Sequence, residues 1–256
     1  MFTSERQKKI EDYVLERGSA TVQELVERFG VSSVTIRKDL SELETGGTLQ
    51  RTHGGAVSRY KSAQEERFQT LTDRCREEKR AIGMKALSYV ENGDTILLDA
   101  STTGHVFAEL LVDSGINGLT VITPSVYAAQ TLLLSGIRVI LIGGVVNQNI
   151  GSSQGPYTVN QIRRLNADKG FIGVNGIDRQ FGFSVDSLEE AAVKRSICAC
   201  ARSTFILADY TKFNRRYMAQ VSAPGEGVAR YLITDRQRDN IDYSFLKQEL
   251  KLVFAQ

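Results

Sequence analysis

Side chains that suit a phosphorylated ligand follow short apolar runs in the second half of the chain. The first such run ends in Asp99, and three hydroxyl residues then open a helical pattern: Ser101, Thr102 and Thr103. Hydroxyls and the backbone N–H groups of a helix start bind anions, phosphate among them. Residues of the same kind follow the later runs, together with two lysines: Thr123, Ser125, Gly143, Gly144, Asn175, Gly176, Lys194 and Lys212.

Strand and helix patterns that alternate along this half would bring these side chains together. Such alternation predicts a parallel sheet covered by helices, and such sheets bind ligands at the carboxyl ends of their strands. Asp99, Asp209 and Asn175 suit sugar hydroxyls, whereas Lys194 or Lys212 suits a phosphate. We therefore expect a small phosphorylated sugar or polyol. The predicted strands are residues 95–98, 119–123, 138–142, 170–174, 204–207 and 231–233.

The sequence carries no signal for a cofactor or a metal ion. It has neither the G-x-G-x-x-G fingerprint of dinucleotide binding nor the G-x-x-x-x-G-K-[ST] loop of nucleotide binding. Cys198 and Cys200 are separated by one residue, which is too close for a zinc pair, and we expect them to be small core residues. We therefore expect no cofactor and no metal site.

The first 58 residues follow a different pattern, that of three short helices and a hairpin. Thr21, with Glu24 three residues later, predicts a capping box, and Ser32 predicts the start of the next helix. A Gly-Val turn separates these two helices, and a hairpin that turns at Gly54–Gly55 follows them. Helix, short turn, helix and hairpin is the order of a winged helix-turn-helix.

The third helix and the hairpin carry donors and cations that suit DNA phosphates and base edges. They are Ser32, Ser33, Thr35, Arg37 and Lys38 on the helix, with Arg51 and His53 on the hairpin. Residues 1–60 hold nine basic and nine acidic residues, so net charge does not indicate DNA binding. The indication comes from cations that gather on one helix and one hairpin.

Two ordered motifs resemble the DeoR family of transcriptional regulators. The run Val31–Leu40, followed by Leu43, Gly47, Leu49, Arg51 and His53–Ala56, resembles the DNA-binding signature of that family. The second half is similar to its effector domain, for example in Asp99–Thr103 and in Asn175–Ile177. Ser101 stands where the family commonly has glycine. Together the two motifs cover nearly the whole chain.

The resemblance implies an α+β winged helix-turn-helix domain and an α/β, mainly parallel-sheet effector domain. The effector domain of the family is similar to ribose-5-phosphate isomerase and to glucosamine-6-phosphate deaminase. The family also implies that a phosphorylated sugar or polyol releases the regulator from operator DNA. We therefore expect a repressor of carbohydrate-metabolism genes rather than an enzyme. The sequence itself does not give the sign of the response.

Length and composition agree with two globular domains. The chain has 256 residues, of which 41% are apolar and 24% charged, and its net charge is +2. Three cysteines make no disulfide framework, and we expect neither a signal peptide nor a membrane span, hence a cytoplasmic protein. We expect a DNA-binding domain over 1–58, a linker or connecting helix over 59–78, and an effector-binding and oligomerisation domain over 79–256, assembled as a homodimer or homotetramer.

Two other functions stay open at this point. A sugar-phosphate isomerase-like enzyme with an accessory DNA-binding domain would use acid–base side chains. Candidates for that chemistry are Asp168, Glu190, Lys194 and Lys212. A scaffolding protein would instead pair its first domain with another protein. Salt distinguishes this case, because DNA binding weakens steeply as the salt concentration rises.

Overall fold

A computed structural model describes residues 3–17, 19–46, 49–58, 63–227, 229–246 and 250–255. The chain divides into two compact units, Met1–Gln69 and Thr70–Gln256. Residues 59–62 of the predicted linker lie outside the described residues. The rest of that segment forms helix α4 (Ala63–Asp73) and the start of helix α5 (Arg76–Leu87). The division into a DNA-binding domain that ends at residue 58 and an effector domain that begins at residue 79 remains a prediction.

The first unit contains three helices and a three-stranded antiparallel sheet of order β1-β3-β2. The capping box at Thr21 is confirmed. Thr21 Oγ1 accepts from the backbone N–H of Glu24, and the Glu24 carboxylate accepts from the backbone N–H of Thr21. The helix that it opens ends at Gly30, whose φ of 65° is left-handed. The elements are α1 (Thr3–Arg17), β1 (Ser19–Thr21), α2 (Val22–Phe29), α3 (Ser33–Thr45), β2 (Leu49–Arg51) and β3 (Gly55–Ser58).

The hairpin β2–β3, which we call the wing, differs from the prediction in its turn. Gly55 already belongs to β3, and the backbone N–H of Thr52 donates to its carbonyl at 3.0 Å. The third strand, β1, explains the difference, because it pairs with β3 and lies against Gly55. A side chain at Gly55 would collide with the backbone of Ala20.

The second unit is built on a seven-stranded sheet in which every neighbouring pair is parallel. Its order is β15-β14-β12-β9-β4-β5-β6. The strands are β4 (Thr95–Leu98), β5 (Thr120–Thr123), β6 (Arg138–Leu141), β9 (Ala167–Gly173), β12 (Ala201–Leu207), β14 (Tyr231–Thr234) and β15 (Lys251–Phe254). The predicted fold class of both halves is confirmed, although β15 lies outside the predicted strands.

Helices cover both faces of this sheet, because successive strand residues point to opposite sides. Helices α5, α6 (Thr102–Val112) and α7 (Val126–Leu132) pack on one face, around Phe107, Phe171 and Phe205. Helices α8 (Pro156–Ile162) and α9 (Leu188–Cys200) pack on the other. Short antiparallel strands, which were not predicted, complete the unit: β7 (Val145–Asn147), β8 (Ser152–Gln154), β10 (Gly176–Asp178), β11 (Gly182–Val185) and β13 (Ala219–Ser222).

Candidate DNA-binding surface and ligand site

Helix α3 exposes the polar face that the sequence predicted. Ser33, Arg37 and Lys38 are exposed, whereas Ile36 and Leu40 are buried in the core of the first unit. This division follows from the helical period, which places residues 33, 34, 37, 38 and 41 opposite the buried stripe. Arg37 therefore stands on the side of α3 that solvent reaches.

The two hydroxyls at the start of α3 are engaged with each other. Ser32 caps the helix, since its Oγ accepts from the backbone N–H of Thr35 at 3.2 Å. The same Oγ lies 2.9 Å from Thr35 Oγ1. Ser32 is exposed and Thr35 half-buried. These side chains fix the geometry of the helix start, where N–H groups suit a phosphate.

The wing turn and the start of α3 face one groove. Thr21, Ser33, Arg37 and Gly54 line it together. The remaining predicted contacts, Arg51 and His53, are exposed on the wing. Helix α3 and the wing turn thus share one groove, and the predicted contacts on both elements are open to solvent.

A buried ion pair, which sequence reasoning missed, fixes α3 against α1. The guanidinium of Arg6 donates to both carboxylate oxygens of Asp39, at 2.6 and 3.1 Å. Asp39 is 1% exposed and Arg6 9%. Because Asp39 lies inside the segment that carries the predicted DNA-binding residues, this pair anchors that segment of α3 to α1. A signal existed in the sequence, namely an acidic residue at a position of the apolar stripe.

The predicted ligand residues of the second half lie at the carboxyl ends of neighbouring strands. The sheet order puts β9, β4, β5 and β6 side by side, with β12 next to β9. The predicted residues lie in the loops and first turns that follow these strands, apart from Thr123, which closes β5, and Lys194, which lies in α9. Parallel sheets bind ligands at this edge. The parallel order therefore brings the ends of five strands to one edge of the sheet, and side-chain bonds join two of them, the ends of β4 and β9, through Asp99.

Asp99 is the most connected residue of this edge. It is 1% exposed, and one of its carboxylate oxygens accepts from the N–H and the hydroxyl of Ser101, at 3.0 and 2.6 Å. The other oxygen accepts from the backbone N–H of Gly173 at 2.8 Å and from the ammonium of Lys194. Asp99 thus joins the ends of β4 and β9 to the helices α6 and α9.

Lys194 is held between two carboxylates. It is 2% exposed, contacts Asp99 and lies 3.2 Å from Glu190. Burial lowers the pKa of Lys194, and the two carboxylates raise it by more, so that its pKa lies above the ordinary value. The lysine therefore stays charged. Its charge is neutralised inside the protein by Asp99 and by Glu190, which the sequence suggested only as a catalytic candidate.

Two glycines permit this close packing. A Cβ at Gly104 would lie 2.9 Å from Asp99 Oδ1, and one at Gly173 would lie 2.5 Å from Ser101 Oγ. Ser101 itself caps α6, because its Oγ accepts from the N–H of Gly104 at 3.0 Å. The N–H groups of Thr102 and Thr103, in the first turn of α6, have no acceptor within the helix.

The predicted residues after β5 point inward. Thr123 and Ser125 are 0% and 1% exposed. Thr123 Oγ1 accepts from the N–H of Ser125 at 3.0 Å, and Ser125 Oγ accepts from the N–H of Ala128 at 3.1 Å. Their hydroxyls shape the loop and cap α7, so any role in ligand binding passes through the backbone of this loop.

The loop after β6 is open to solvent. Gly143 and Gly144 are both exposed. The carbonyl of Gly143 accepts from Thr158 Oγ1 and from Gln161 Nε2, each at 3.0 Å. Gly144 has a φ of 151°, and a side chain there would collide with Thr158. The two glycines thus allow α8 to approach the end of β6.

The residues that follow β9 and β12 differ in accessibility. The side-chain amide of Asn175 donates to the carboxylate of Asp186 at 2.8 Å. Gly176 is buried, and a side chain there would collide with the backbone of Arg215. Lys212 is half-buried in a single 3₁₀ turn, Tyr210–Lys212, that follows β12. No ion pair within 4.0 Å involves Lys212 among the described residues.

Two family models match this chain in the same order as its two units. A DeoR-like helix-turn-helix domain matches residues 6–62. A DeoR C-terminal sensor domain matches residues 74–236. The chain belongs to the DeoR family of transcriptional regulators.

Relatives of this DeoR-family regulator match over most of its length. An uncharacterized HTH-type transcriptional regulator of Bacillus subtilis, YulB, is 36% identical over 100% of this chain and 97% of its own. The glycerol-3-phosphate regulon repressor of Escherichia coli is 31% identical over 87% of this chain and 88% of its own. A solved D-ribose-5-phosphate isomerase in complex with phospho-erythronic acid aligns with a TM-score of 0.41 and 17% identity, over 54% of each chain.

Asp168, one of the acid–base candidates of the alternative enzyme, lies apart from Glu190 and Lys194 in this regulator. Asp168 lies near the start of β9, where it accepts from the N–H of Thr95 at 2.9 Å. Glu190 and Lys194 lie beyond the opposite ends of the same strands. A strand of four residues spans about 13 Å, so Asp168 cannot share a substrate with them. The family and this separation agree on a transcriptional regulator rather than an enzyme.

Lys79, in helix α5, binds the carboxyl-terminal end of helix α4. The ammonium of Lys79 donates to the carbonyls of Thr72 and Arg74, at 3.2 and 2.6 Å, and to that of Leu71. Burial lowers the pKa of Lys79 to about 8, although Asp209 opposes the change and Lys212 adds to it. Lys79 thus holds the end of α4 within reach of charges at the ligand edge. No sequence pattern indicated this role.

Of the two cysteines predicted to be core residues, Cys198 is buried, whereas Cys200 is half-buried at the end of α9. Cys198 is 7% exposed, and burial raises its pKa to about 12, so that it is a neutral thiol at pH 7. No group of three or more metal-ligating side chains occurs in the part of the chain that the structure describes. No helix within that part is long and apolar enough to cross a membrane.

Proposed function

We propose that this regulator is a repressor of carbohydrate-metabolism genes, which a small phosphorylated sugar or polyol releases from operator DNA. The single observation that supports the ligand class is the set of groups at the carboxyl edge of the sheet. The first turn of α6 offers N–H groups there, and Lys212, in the turn after β12, offers a cation. The paired side chains of Asn175 and Asp186 suit hydroxyls. The named function of the Escherichia coli relative, a glycerol-3-phosphate regulon repressor, agrees with this ligand class.

In this proposal α3 enters the major groove of operator DNA. Arg37, Lys38 and Ser33 contact phosphates or base edges, and Arg51 and His53 contact the backbone beside the groove. A homodimer or homotetramer would place two such units on two half-sites that lie one or more helical turns apart. The ligand acts by binding better to the arrangement that does not bind DNA.

In this proposal, Lys79 and helix α4 connect effector binding to DNA binding. Lys212 stands at the ligand edge, and its charge acts on Lys79, which holds the carbonyl end of α4. An anion bound at Lys212 would offset that charge and strengthen the hold of Lys79 on α4. Because α4 runs from Ala63 to Asp73, it crosses the boundary between the two units after Gln69, and it is the natural transmitter.

The experiment that tests the ligand class is thermal unfolding against sugar and polyol phosphates, each beside its unphosphorylated parent. A ligand at 100 times its Kd stabilises the protein by about 2.7 kcal/mol. We expect a shift with one phosphate and none with its parent. A shift with neither, across the panel, would refute the proposed ligand class.

Thr102→Glu tests the position of the phosphate. A carboxylate in the first turn of α6 would repel an anion bound there, so we expect the effector response to vanish while operator binding persists. Thr102→Gln, which has nearly the same size and shape as the glutamate but no charge, is the matched control and should keep the response. A response that survives Thr102→Glu would place the phosphate elsewhere.

Arg37→Ala tests the DNA-binding surface. Removing one phosphate or base contact weakens operator binding, and removing a phosphate contact also lowers the slope of log K against log salt by about one. Stabilisation by the effector should stay unchanged, because Arg37 lies in the other unit. Lys9→Ala, an exposed cation on α1, is the control. Equal losses of operator and effector binding would show misfolding instead.

A further inference from the structure

Exposed apolar side chains gather in one part of the larger unit. Of the twelve large hydrophobic side chains that are exposed among the described residues, seven fall within residues 126–157. We call these seven the apolar edge: Val126, Leu133, Leu134, Leu141, Val145, Val146 and Tyr157. Leu134 is 98% exposed, which is unusual for a leucine beside a helix. Contiguous exposed apolar surface marks a protein interface.

The same segment is almost free of charge. Residues 114–162 contain one charged side chain, Arg138, whereas the chain average of 24% would put about 12 in a stretch of this length. Depletion of charged residues distinguishes the centre of an interface from the rest of a protein surface. Composition and exposure therefore point to the same surface.

The segment also contains an open strand. β6 is the last strand of the seven-stranded sheet and pairs with β5 alone among the described strands. Proteins normally protect an edge strand with lysine, proline or a bulge, or they cover it. β6 reads Arg-Val-Ile-Leu, so only its first residue is charged, and Leu141 is exposed. This edge lacks the features that keep an uncovered strand from pairing.

We propose that a second copy of this chain docks on the apolar edge. A neutral surface does not repel its own copy, so it suits the self-complementary contact of a two-fold dimer. A stable interface uses about 20–30 residues a side. Of the 32 residues from 126 to 157, 24 are exposed or half-buried, which is a number in this range. The choice of a second copy rests on the proposed function, because two operator half-sites require two DNA-binding units.

The position of the surface connects assembly to ligand binding. Gly143 and Gly144, predicted to contact the effector, stand between Leu141 and Val145 of the apolar edge. The partner copy would therefore approach the loop at the carboxyl end of β6. A ligand that moves this loop would alter the contact between the two copies.

The test is the mass of the full chain in solution, measured by light scattering after size exclusion at micromolar concentration. We expect the wild-type protein at a multiple of 28.4 kDa. The double variant Leu134→Glu/Val145→Glu should fall to half that mass or to 28.4 kDa, since it puts carboxylates into an apolar contact. Leu188→Glu is the matched control, because Leu188 is 63% exposed outside the apolar edge, and it should keep the wild-type mass.

A wild-type monomer, or a folded double variant that keeps the wild-type mass, would overturn the inference. Far-UV circular dichroism establishes the folding of each variant. Should the double variant not fold, hydrogen exchange of the wild-type protein decides instead: the amides of β6 should lose protection on dilution, and constant protection would contradict the proposal.

Operator binding is measured on the same wild-type sample, so that a failure of the proposed interface can be distinguished from a failure of the proposed function. A protein that assembles through this surface but binds no operator would refute the proposed function and leave the interface standing.

Discussion

The contact between Gly173 and Ser101 allows a sharp test of how the ligand edge is held together. A methyl group at Gly173 would lie 2.5 Å from Ser101 Oγ and closer still to Ser101 Cβ. Ser101 also donates to Asp99 and caps α6. Gly173→Ala should therefore displace Ser101, whereas Ser101→Gly removes the atoms that clash. The two substitutions should be strongly non-additive.

The structure sets the size of the effect. Extra volume in a packed site costs about 1–3 kcal/mol, and a lost serine cap about 1 kcal/mol. Gly173→Ala alone should thus lower the free energy of unfolding by about 2–4 kcal/mol. After Ser101→Gly, the next atom near that methyl group is the Leu207 carbonyl oxygen at 3.8 Å, an ordinary contact. The same substitution should then cost under about 1 kcal/mol.

The assay is urea unfolding of the wild type, both single variants and the double variant, followed by far-UV circular dichroism. Gly143→Ala is the control, since the nearest atom to its added methyl group is 3.9 Å away. That variant should change stability by no more than about 0.5 kcal/mol. An equal cost of Gly173→Ala in both backgrounds would refute this account of the packing.

Two further predictions concern buried cations. Arg6→Met leaves the buried carboxylate of Asp39 without its guanidinium, so the first unit should lose about 3–5 kcal/mol of stability in urea unfolding. The control Lys9→Met removes one partner of an exposed ion pair and should cost under about 1 kcal/mol. Equal losses in the two variants would contradict the reasoning. Lys79 has a pKa of about 8 in the folded protein against an ordinary value of 10.5. Between these two pH values the unfolded chain binds more protons, so the free energy of unfolding of the wild type should rise with pH relative to Lys79→Met, by about 2–3 kcal/mol. A difference that is flat from pH 8 to 10.5 would refute the lowered pKa.

Local patterns in the sequence determined most of the secondary structure and both fold classes. The apolar period of α3, the Thr21–Glu24 capping box and the apolar runs of β4 and β5 were correctly read, because each depends on residues within one or two turns of each other. The ordered motifs also indicated the family. Short strands were missed where pairing rather than composition makes them strands, as for β1, which exists because it lies beside β3.

Only the tertiary structure decided what the ionisable groups do. Lys194 was predicted to face a phosphate, yet it is neutralised by Asp99, which stands 95 residues earlier in the chain. Asp168 and Glu190 looked equally suited to catalysis, but they lie at opposite ends of the sheet. No pattern in the sequence indicated that Lys79 holds the end of α4. Charge, burial and hydrogen bonding of such groups depend on partners that are distant in sequence, and the packing of the sheet alone brings those partners within bonding distance.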